Sequence, residues 1–248
     1  MEKENQKKIT VRGTDPKDNR FFSIENIYML RKAEEEVVWL LDRGYYISSI
    51  MELVGGRYQF SSRQRIAIQR ASCAIKNLTL RKAKEYKIDE LSGKDINIDA
   101  FNFIITLEVA LSKGLLIRCM DGTIRDLAGL RGTYRLIDKT YIVLEILEKA
   151  FEDLKLRGVN FYIDKPVSNS GKLKTNILEA STRWNCNTNV YIVQNPDKEL
   201  ENMDYVVSSD SIILDKCTGW INLAKYIIEE YITDVDIVNL DISKNVLK

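Results

Sequence analysis

The sequence predicts an α/β fold, a parallel sheet with helices on both faces, preceded by a small all-helical domain. Beyond residue 94, short β-like runs alternate with helical stretches, which is typical of such a covered parallel sheet. Earlier in the chain, apolar residues such as Leu30, Ala33 and Val37 recur at helical spacing. The 248 residues have room for both parts. The predicted divisions are a flexible arm (1–22), a basic helical domain (23–90) and an α/β domain (94–248).

The helical domain is predicted to hold three helices. The first follows Ser23 and ends at Asp42-Arg43-Gly44. A second, short helix spans Ile50–Val54 and is expected to end at Gly55-Gly56. A third begins at Ser61-Ser62, where a hydroxyl group can cap it. A helix, a glycine-containing turn and a basic helix outline a helix-turn-helix, although many small helical bundles share that outline.

The charge of the chain is unevenly distributed, although its net value is only +1. From Arg57 to Lys87 there are nine Lys or Arg residues and one acid, a net charge of +8, which leaves −7 for the remainder. A basic segment beside an acidic one is typical of a protein with two parts, one that binds a phosphate backbone and one that binds a metal ion. A merely solvated helix face is the alternative explanation. The candidate nucleic-acid-binding residues are Arg57, Arg63, Arg65 and Arg70.

The elements of the α/β domain follow from its apolar runs and their spacing. Because the carboxyl ends of parallel strands open onto one crevice, residues that follow these strands are expected to meet. The tail is expected to add an edge strand through Ile237-Val238 or to remain partly loose. The predicted strands are 95–99, 115–119, 159–164, 190–193 and 205–207, and the predicted helices lie near 101–112, 138–156, 170–184, 210–217 and 221–231.

Composition excludes several kinds of chemistry. The chain contains no histidine, which removes histidine general bases, histidine-activated nucleophiles and histidine-bound zinc. Its four cysteines are widely spaced without a Cys-x-x-Cys pair, so buried free thiols are expected rather than a zinc or redox motif. No apolar run reaches the roughly 18 residues that span a membrane, and the N-terminus lacks an apolar signal core. We therefore expect a cytoplasmic protein without a membrane partner.

Three aspartates, Asp99, Asp164 and Asp210, each follow an apolar β-like run. Carboxylates gathered in one crevice repel each other unless a hard cation lies between them. We therefore expect these three residues to be catalytic and to bind Mg²⁺ or Mn²⁺. Taken singly, each could instead cap the helix that follows it. Asp121 and Asp126 are further candidate ligands, with local salt bridges as the alternative.

Residues suited to a phosphate group lie near these aspartates. Asn102 follows Asp99 at the start of a helix, where it can touch a phosphate. The loop from Asp164 to Lys172 combines hydroxyl groups, an amide, a glycine and two lysines just before a helix. Such a loop can hold an anion with backbone N–H groups, or it can be a capped turn without a ligand. The candidate phosphate-binding residues are Asn102, Ser168, Asn169, Ser170, Lys172 and Ser211.

Two short motifs flank the predicted crevice, Ile98-Asp99-Ala100-Phe101-Asn102 and Ser208-Ser209-Asp210-Ser211. The first is similar to the Asp-Gly-Tyr-Asn style start of NYN domains, and the second to their late Ser-x-Asp-Ser motif. The chain thus resembles the PIN/NYN-like nuclease superfamily, which implies a parallel sheet whose acidic crevice binds Mg²⁺ or Mn²⁺. It also resembles an uncharacterised archaeal and bacterial family of unknown function, through the segments Leu40–Tyr45, Ile104–Glu108, Arg125–Gly129 and Asp164–Gly171.

The function expected from these features is metal-dependent hydrolysis of phosphodiester bonds, with RNA favoured over DNA as the partner. The alternative is a non-catalytic nucleic-acid-binding protein or regulator. In that case the helical domain binds the nucleic acid, and the α/β domain assembles homo-oligomers or senses a phosphorylated ligand. A third class is a phosphotransferase or phosphatase acting on a small metabolite. The absence of an Asp-x-Asp nucleophile motif and of a Walker loop counts against it.

Overall fold

A six-stranded sheet forms the centre of the fold, and all of its paired strands run parallel. The computed structural model describes residues 11–129 and 132–246. The strands of these ranges are β1 (Glu85–Tyr86), β2 (Asp95–Asp99), β3 (Leu116–Arg118), β4 (Ile124–Asp126), β5 (Gly158–Asp164), β6 (Asn187–Val193), β7 (Val206–Val207), β8 (Trp220–Ile221) and β9 (Ile237–Asn239).

The strand order in this sheet is β1-β8-β7-β2-β5-β6. From β2 the chain adds β5 and β6 on one side and then returns to add β7 and β8 on the other. The order therefore reverses between β2 and β7, and open parallel sheets bind ligands outside the carboxyl ends of their strands at such a reversal. A second sheet, in the order β4-β3-β9, contains one antiparallel and one parallel pair, and its β9 includes the predicted strand Ile237-Val238.

The helices begin largely where the sequence predicts them. Ser23 and Ser61 each accept a hydrogen bond from the backbone N–H three residues later, and Ser61 forms a capping box with Gln64. The α-helices of the described ranges are α1 (Asp18–Phe21), α2 (Ile24–Leu41), α3 (Ile47–Arg57), α4 (Ser62–Ala71), α5 (Ile75–Ala83), α6 (Ala100–Leu111), α7 (Asp138–Asp153), α8 (Ser170–Ser181), α9 (Pro196–Leu200), α10 (Ser211–Lys216), α11 (Leu223–Tyr231) and α12 (Ser243–Val246).

The glycine pair Gly55-Gly56 lies inside α3 instead of ending it. The reason is a close contact with the next helix. A Cβ atom at Gly55 would lie 2.8 Å from Nε of Arg65, so only glycine leaves space for that side chain. Arg65 uses the space to donate to the backbone oxygen of Met51 in α3 at 3.0 Å. Packing between helices thus overrides the local tendency of glycine to end a helix.

Helices cover both faces of the large sheet, as the alternation of strands and helices predicts. On one face, Ile96, Ile98 and Phe161 pack in a core shared with α6, α7, α8 and α11. On the opposite face, Tyr162 and Val206 pack against α9 and α10. Because neighbouring residues of a strand point to opposite faces, the two cores alternate along β5 and β7. None of the helices in the described ranges is both long and apolar enough to cross a membrane.

The helical segment shares a hydrophobic core with the small sheet. Leu30 and Ile68 of the helices lie in one cluster with Ile117 and Leu240. In addition, β1 pairs with β8 at the edge of the large sheet. The expected division near residues 90–94 is therefore crossed by apolar packing and by backbone pairing. The helices α2 to α4 bury their apolar faces against β3 and β9, because three helices offer little core of their own.

Residues 11–22 pack against the protein, in contrast to the flexible arm expected for 1–22; residues 1–10 lie outside the described ranges. Gly13 has a φ angle of +77°, and a Cβ atom there would lie 2.8 Å from Val109. The guanidinium group of Arg63 donates to the backbone oxygen of Gly13 at 2.7 Å and forms an ion pair with Asp18. Phe22 is buried in the helical core. These long-range contacts explain the order of a segment that reads as polar and loop-like.

Candidate functional site

Asp99, Asp164 and Asp210 lie at the same edge of the large sheet. Asp99 ends β2 and Asp164 ends β5, while Asp210 follows β7 by three residues and caps α10. Asp99 is paired in register with Tyr162, so these two residues share a face of the sheet, and Asp164 shares it because it lies two residues further on. The strands β5, β2 and β7 are neighbours. The three aspartates therefore lie at the carboxyl ends of adjacent strands, beside the reversal of strand order.

The electrostatics of Asp99 show that this edge is acidic. The residue is only 6% exposed, and burial raises the pKa of its carboxyl group to about 7. A hydrogen bond from Ser208 opposes that rise, whereas the charges of Asp210, Asp164 and Asp197 add to it. The charges of these three carboxylates therefore disfavour ionisation of Asp99, as its burial does. A buried carboxylate among other carboxylates ionises only at a cost, unless a cation joins it.

A fourth acid, Asp197, belongs to the same group. It lies in the first turn of α9, directly after β6. Burial raises its pKa, the charge of Asp210 raises it further, and Lys216 lowers it. Burial and the charge of Asp197 also raise the pKa of Asp164. We refer to Asp99, Asp164, Asp197 and Asp210 as the acidic crevice.

The donor atoms of the acidic crevice fit a hard divalent cation in kind. Carboxylate and hydroxyl oxygens are the ligands that Mg²⁺ and Mn²⁺ prefer, and a cation would relieve the repulsion that acts on Asp99. The carboxylates of the crevice are further apart than the ligands of a bound metal ion. Within 11–129 and 132–246, no three His, Cys, Asp or Glu side chains stand close enough together to hold an ion. Binding of an ion would therefore require the aspartate side chains to turn inward.

Ser208, Ser209 and Asp210 each fix a part of the crevice. The Ser208 hydroxyl donates to Oδ2 of Asp99 at 2.9 Å and accepts from the backbone N–H of Asp210 at 3.0 Å. The backbone N–H and the hydroxyl of Ser209 donate to Oδ1 of Asn102 at 3.0 and 2.7 Å. Asp210 accepts from the N–H of Ile212 and so also caps α10. The segment ties the start of α6 to the end of β7, across the reversal of strand order.

The candidate phosphate-binding residues lie in two places. Asn102 lies at the start of α6, three residues after Asp99, and its amide oxygen accepts a hydrogen bond from the Ser209 hydroxyl, while Ser211 directly follows Asp210. The loop after β5 carries the others. Asn169 adopts a left-handed conformation (φ 66°) at the cap of α8 and donates from its side chain to the backbone oxygen of Tyr134 at 2.6 Å. Ser168, Ser170 and Lys172 lie on this same loop and the first turn of α8.

Asp121 and Asp126 face arginines. Asp121 is buried, and Oδ2 accepts from Arg81 at 2.8 Å and from Arg125 at 2.7 Å. Burial alone would raise the pKa of Asp121, but the two arginines outweigh it and the pKa is lowered. Asp126 pairs with Arg70, although burial keeps its pKa raised. Since both carboxylates are already paired with arginines, we restrict the proposed ligands to the acidic crevice.

The network around Asp121 reaches the crevice through Arg125. One guanidinium nitrogen of Arg125 donates to the Ser211 hydroxyl at 3.0 Å, next to Asp210. Arg81 of α5 also pairs with Asp215 of α10 at 2.7 Å. Buried charges are thus paired across α5, β4 and α10, as their desolvation requires. This network joins the helical segment to the helix that carries Asp210.

The four arginines predicted to contact nucleic acid are engaged mostly within the protein. Arg63 pairs with Asp18, Arg65 donates to the backbone oxygens of Phe60 and Met51, and Arg70 donates to Asp126. Arg57 is exposed and pairs with Glu36 at 3.0 Å. Three of the four guanidinium groups therefore hold the fold together, and Arg57 is the one left at the surface.

Two features near the site were not predicted from the sequence, the carboxylate of Asp197 and the ion pair between Arg81 and Asp121. Asp197 has a readable signal, because it comes four residues after the predicted strand 190–193, as an acid after a strand. No signal in the sequence predicts the pairing of Arg81 with Asp121, because the two residues are 40 positions apart and belong to different predicted domains.

Comparison with known proteins identifies relatives. Residues 88–226 match the family described as Domain of unknown function (DUF5616), and residues 29–84 match the one described as Protein of unknown function (DUF434). An uncharacterized protein of Methanocaldococcus jannaschii is 31% identical over 185 residues, which cover 75% of this chain and 88% of that protein. No solved structure gives a significant match. Because the descriptions of these relatives state no activity, the function has to be inferred from the residues of the crevice.

Proposed function

The chain belongs to the family described as Domain of unknown function (DUF5616), and from its own residues we propose a divalent-metal-dependent nuclease that hydrolyses phosphodiester bonds, of RNA more than of DNA. One observation carries the proposal. Asp99 is buried, its pKa is raised to about 7 by burial, and the charges that act on it come from three further carboxylates. Strongly perturbed acids gathered in a crevice are typical of functional sites, because they reduce stability and persist where chemistry needs them.

Asp99, Asp164, Asp197 and Asp210 are the residues that would hold Mg²⁺ or Mn²⁺. Once bound, such an ion lowers the pKa of a water molecule and neutralises charge on the scissile phosphate. The surrounding protein supplies the orientation. Ser208 fixes the carboxylate of Asp99 through its hydroxyl, and the hydroxyl in turn is fixed by the backbone N–H of Asp210. Asn102 is held by Ser209 so that its NH₂ group can donate to a phosphate oxygen.

The resemblance to PIN/NYN-like nucleases supports the same proposal. It implies a parallel sheet with an acidic crevice, and the fold has a parallel sheet with acids beyond its carboxyl ends. The two motifs on which the resemblance depends are hydrogen-bonded to each other through Ser208 with Asp99 and Ser209 with Asn102. Motifs distant in sequence thus form one site.

The test is cleavage of labelled single-stranded RNA and DNA with Mn²⁺, with Mg²⁺ and with EDTA. We expect cleavage with either ion, a preference for RNA, and none in EDTA. Asp99→Asn should remove activity because it keeps the shape of the side chain and deletes its charge. The matched control is Asp95→Asn, at the opposite end of the same strand, where the carboxylate pairs with Arg157 at the surface. Equal activity of Asp99→Asn and the parent protein would exclude the mechanism.

The openness of the crevice favours a second candidate, a non-catalytic nucleic-acid-binding protein. No three acidic side chains of the described ranges are close enough to enclose an ion as they stand. A titration with Mn²⁺ in a calorimeter separates the two candidates. The nuclease should bind Mn²⁺ with an affinity that Asp99→Asn abolishes. A non-catalytic binder should show no such heat, and its affinity for RNA should be the same with Mn²⁺ and with EDTA.

A further inference from the structure

A second concave site lies against the segment that is hydrogen-bonded to the loop after β5, and we propose that it binds a nucleotide, either free or within a nucleic-acid chain. It is a cavity of about 640 Å³ between the N-terminal segment, α6, the segment after β4 and the start of α7. That volume lies within the range of roughly 300–1,000 Å³ usual for small-molecule sites. We call it the arginine pocket; the residues that matter are Arg12, Arg63, Arg135, Thr133, Leu127 and Ile137.

The lining of the arginine pocket combines an apolar part with cationic groups. Leu127 and Ile137, together with Ile105, supply apolar surface against which a base can pack. The three arginines supply guanidinium groups, which match phosphate oxygens in geometry and charge. The hydroxyl of Thr133 adds a donor beside them. A ligand with a flat apolar part and a phosphate group fits this combination.

The charges of the pocket favour an anion. Nε of Arg12 lies 2.9 Å from the buried carboxylate of Glu108, and Arg63 pairs with Asp18, so two of the three charges are compensated. Arg135 is exposed and forms no ion pair with any other residue of the described ranges. Its charge is therefore available to a ligand. Arg12 also donates to the backbone oxygen of Arg135, and Arg63 donates to that of Gly13, so these two arginines are fixed in place and Arg135 is the cation that would bind the ligand.

The backbone connects the pocket to the acidic crevice. The N–H of Ser168 donates to the oxygen of Gly132 at 3.1 Å, and the side chain of Asn169 donates to the oxygen of Tyr134 at 2.6 Å. The segment that carries Arg135 is thus joined to the loop that begins at Asp164. A nucleic-acid chain with one phosphate at the crevice would have the next nucleotides near the pocket. This last step rests on the proposed nuclease function, whereas binding of a nucleotide in the pocket does not.

The experiment measures binding in EDTA, so that the acidic crevice contributes no metal. Fluorescence anisotropy with a labelled single-stranded RNA and calorimetry with AMP serve as the two probes. Arg135→Ala should weaken binding of the probe at least about tenfold. It should also reduce the slope of the logarithm of the binding constant against the logarithm of the salt concentration by about one. Arg135→Lys should recover part of the affinity because it restores the charge. Arg157→Ala is the matched control, an exposed arginine at the opposite end of the large sheet, and should bind like the parent.

The two probes identify the source of the nucleotide. Binding of AMP that depends on Arg135 assigns the pocket to a free nucleotide, and binding of RNA alone assigns it to a chain. The inference is overturned if neither probe binds, or if Arg135→Ala and Arg157→Ala have the same affinity. Asp99→Asn separates this result from the nuclease proposal, because it should lose cleavage and keep binding in EDTA. Arg135-dependent binding without any cleavage would uphold the pocket and remove the nuclease.

Discussion

Replacement of Asp99 by Asn should stabilise the metal-free protein at pH 8. The side chain is buried, and burial raises its pKa from 3.8 to about 7, with further increases from Asp210 and Asp164. A group whose pKa is higher in the folded state contributes stability below its unfolded pKa. That contribution is lost as pH rises through the folded pKa. At pH 8 the folded protein therefore carries a carboxylate at a cost, and Asn removes that cost.

The size of the stabilisation by Asp99→Asn follows from the pKa shift of Asp99. A change of about three pKa units at about 1.4 kcal/mol each corresponds to about 4 kcal/mol in the free energy of unfolding at pH 8. The gain should shrink as pH falls from about 7 toward 4 and vanish below, where Asp99 is protonated in both states. Because total stabilities are roughly 5–15 kcal/mol, this is a large share. It corresponds to an increase in Tm of about 10 °C for a protein of this size.

Urea unfolding in EDTA at pH 8 and at pH 4 measures the effect. Asp95→Asn is the control on the same strand. A hydrogen bond from Arg157 lowers the pKa of Asp95, so its contribution is present at neutral pH and is lost on acidification. That variant should be slightly less stable at pH 8. Addition of Mn²⁺ should stabilise the parent and leave Asp99→Asn unchanged. A variant Asp99→Asn no more stable than the parent at pH 8 would refute the electrostatic description of the crevice.

Three further outcomes are expected. Arg81→Met should cost about 3–5 kcal/mol in urea unfolding, because it leaves Asp121 and its charge with less compensation in the core; a cost below about 1 kcal/mol would contradict the role of that ion pair. Ser208→Ala should move the pH dependence of cleavage upward, since its hydrogen bond lowers the pKa of Asp99; an unchanged profile would exclude that role. Leu30→Ala should cost about 2–5 kcal/mol and lower the midpoint of a single transition, because Leu30 belongs to the core shared with the small sheet. Two separate transitions, with one unaffected, would show that the parts unfold independently.

The strands that carry the acids were predictable from the sequence alone. The runs that end at Asp99 and Asp164 are short and apolar, and the structure confirms both as parallel neighbours. Local periodicity and the common direction of parallel strands are enough to place such residues at one edge. The N-terminal cap at Ser61 was readable for the same reason, since a cap depends on residues within one turn.

What surrounds each charge depends on the folded structure. That carboxylates follow the strands could be read from the amino-acid sequence, because it depends on residues close together in the chain. Whether a carboxylate meets an arginine or other acids depends on packing between distant elements. Asp121 accepts hydrogen bonds from Arg81 of the helical segment, whereas the charges of three other acids raise the pKa of Asp99, and nothing local distinguishes the two. The free energy of a buried charge is set by the neighbours that folding brings to it.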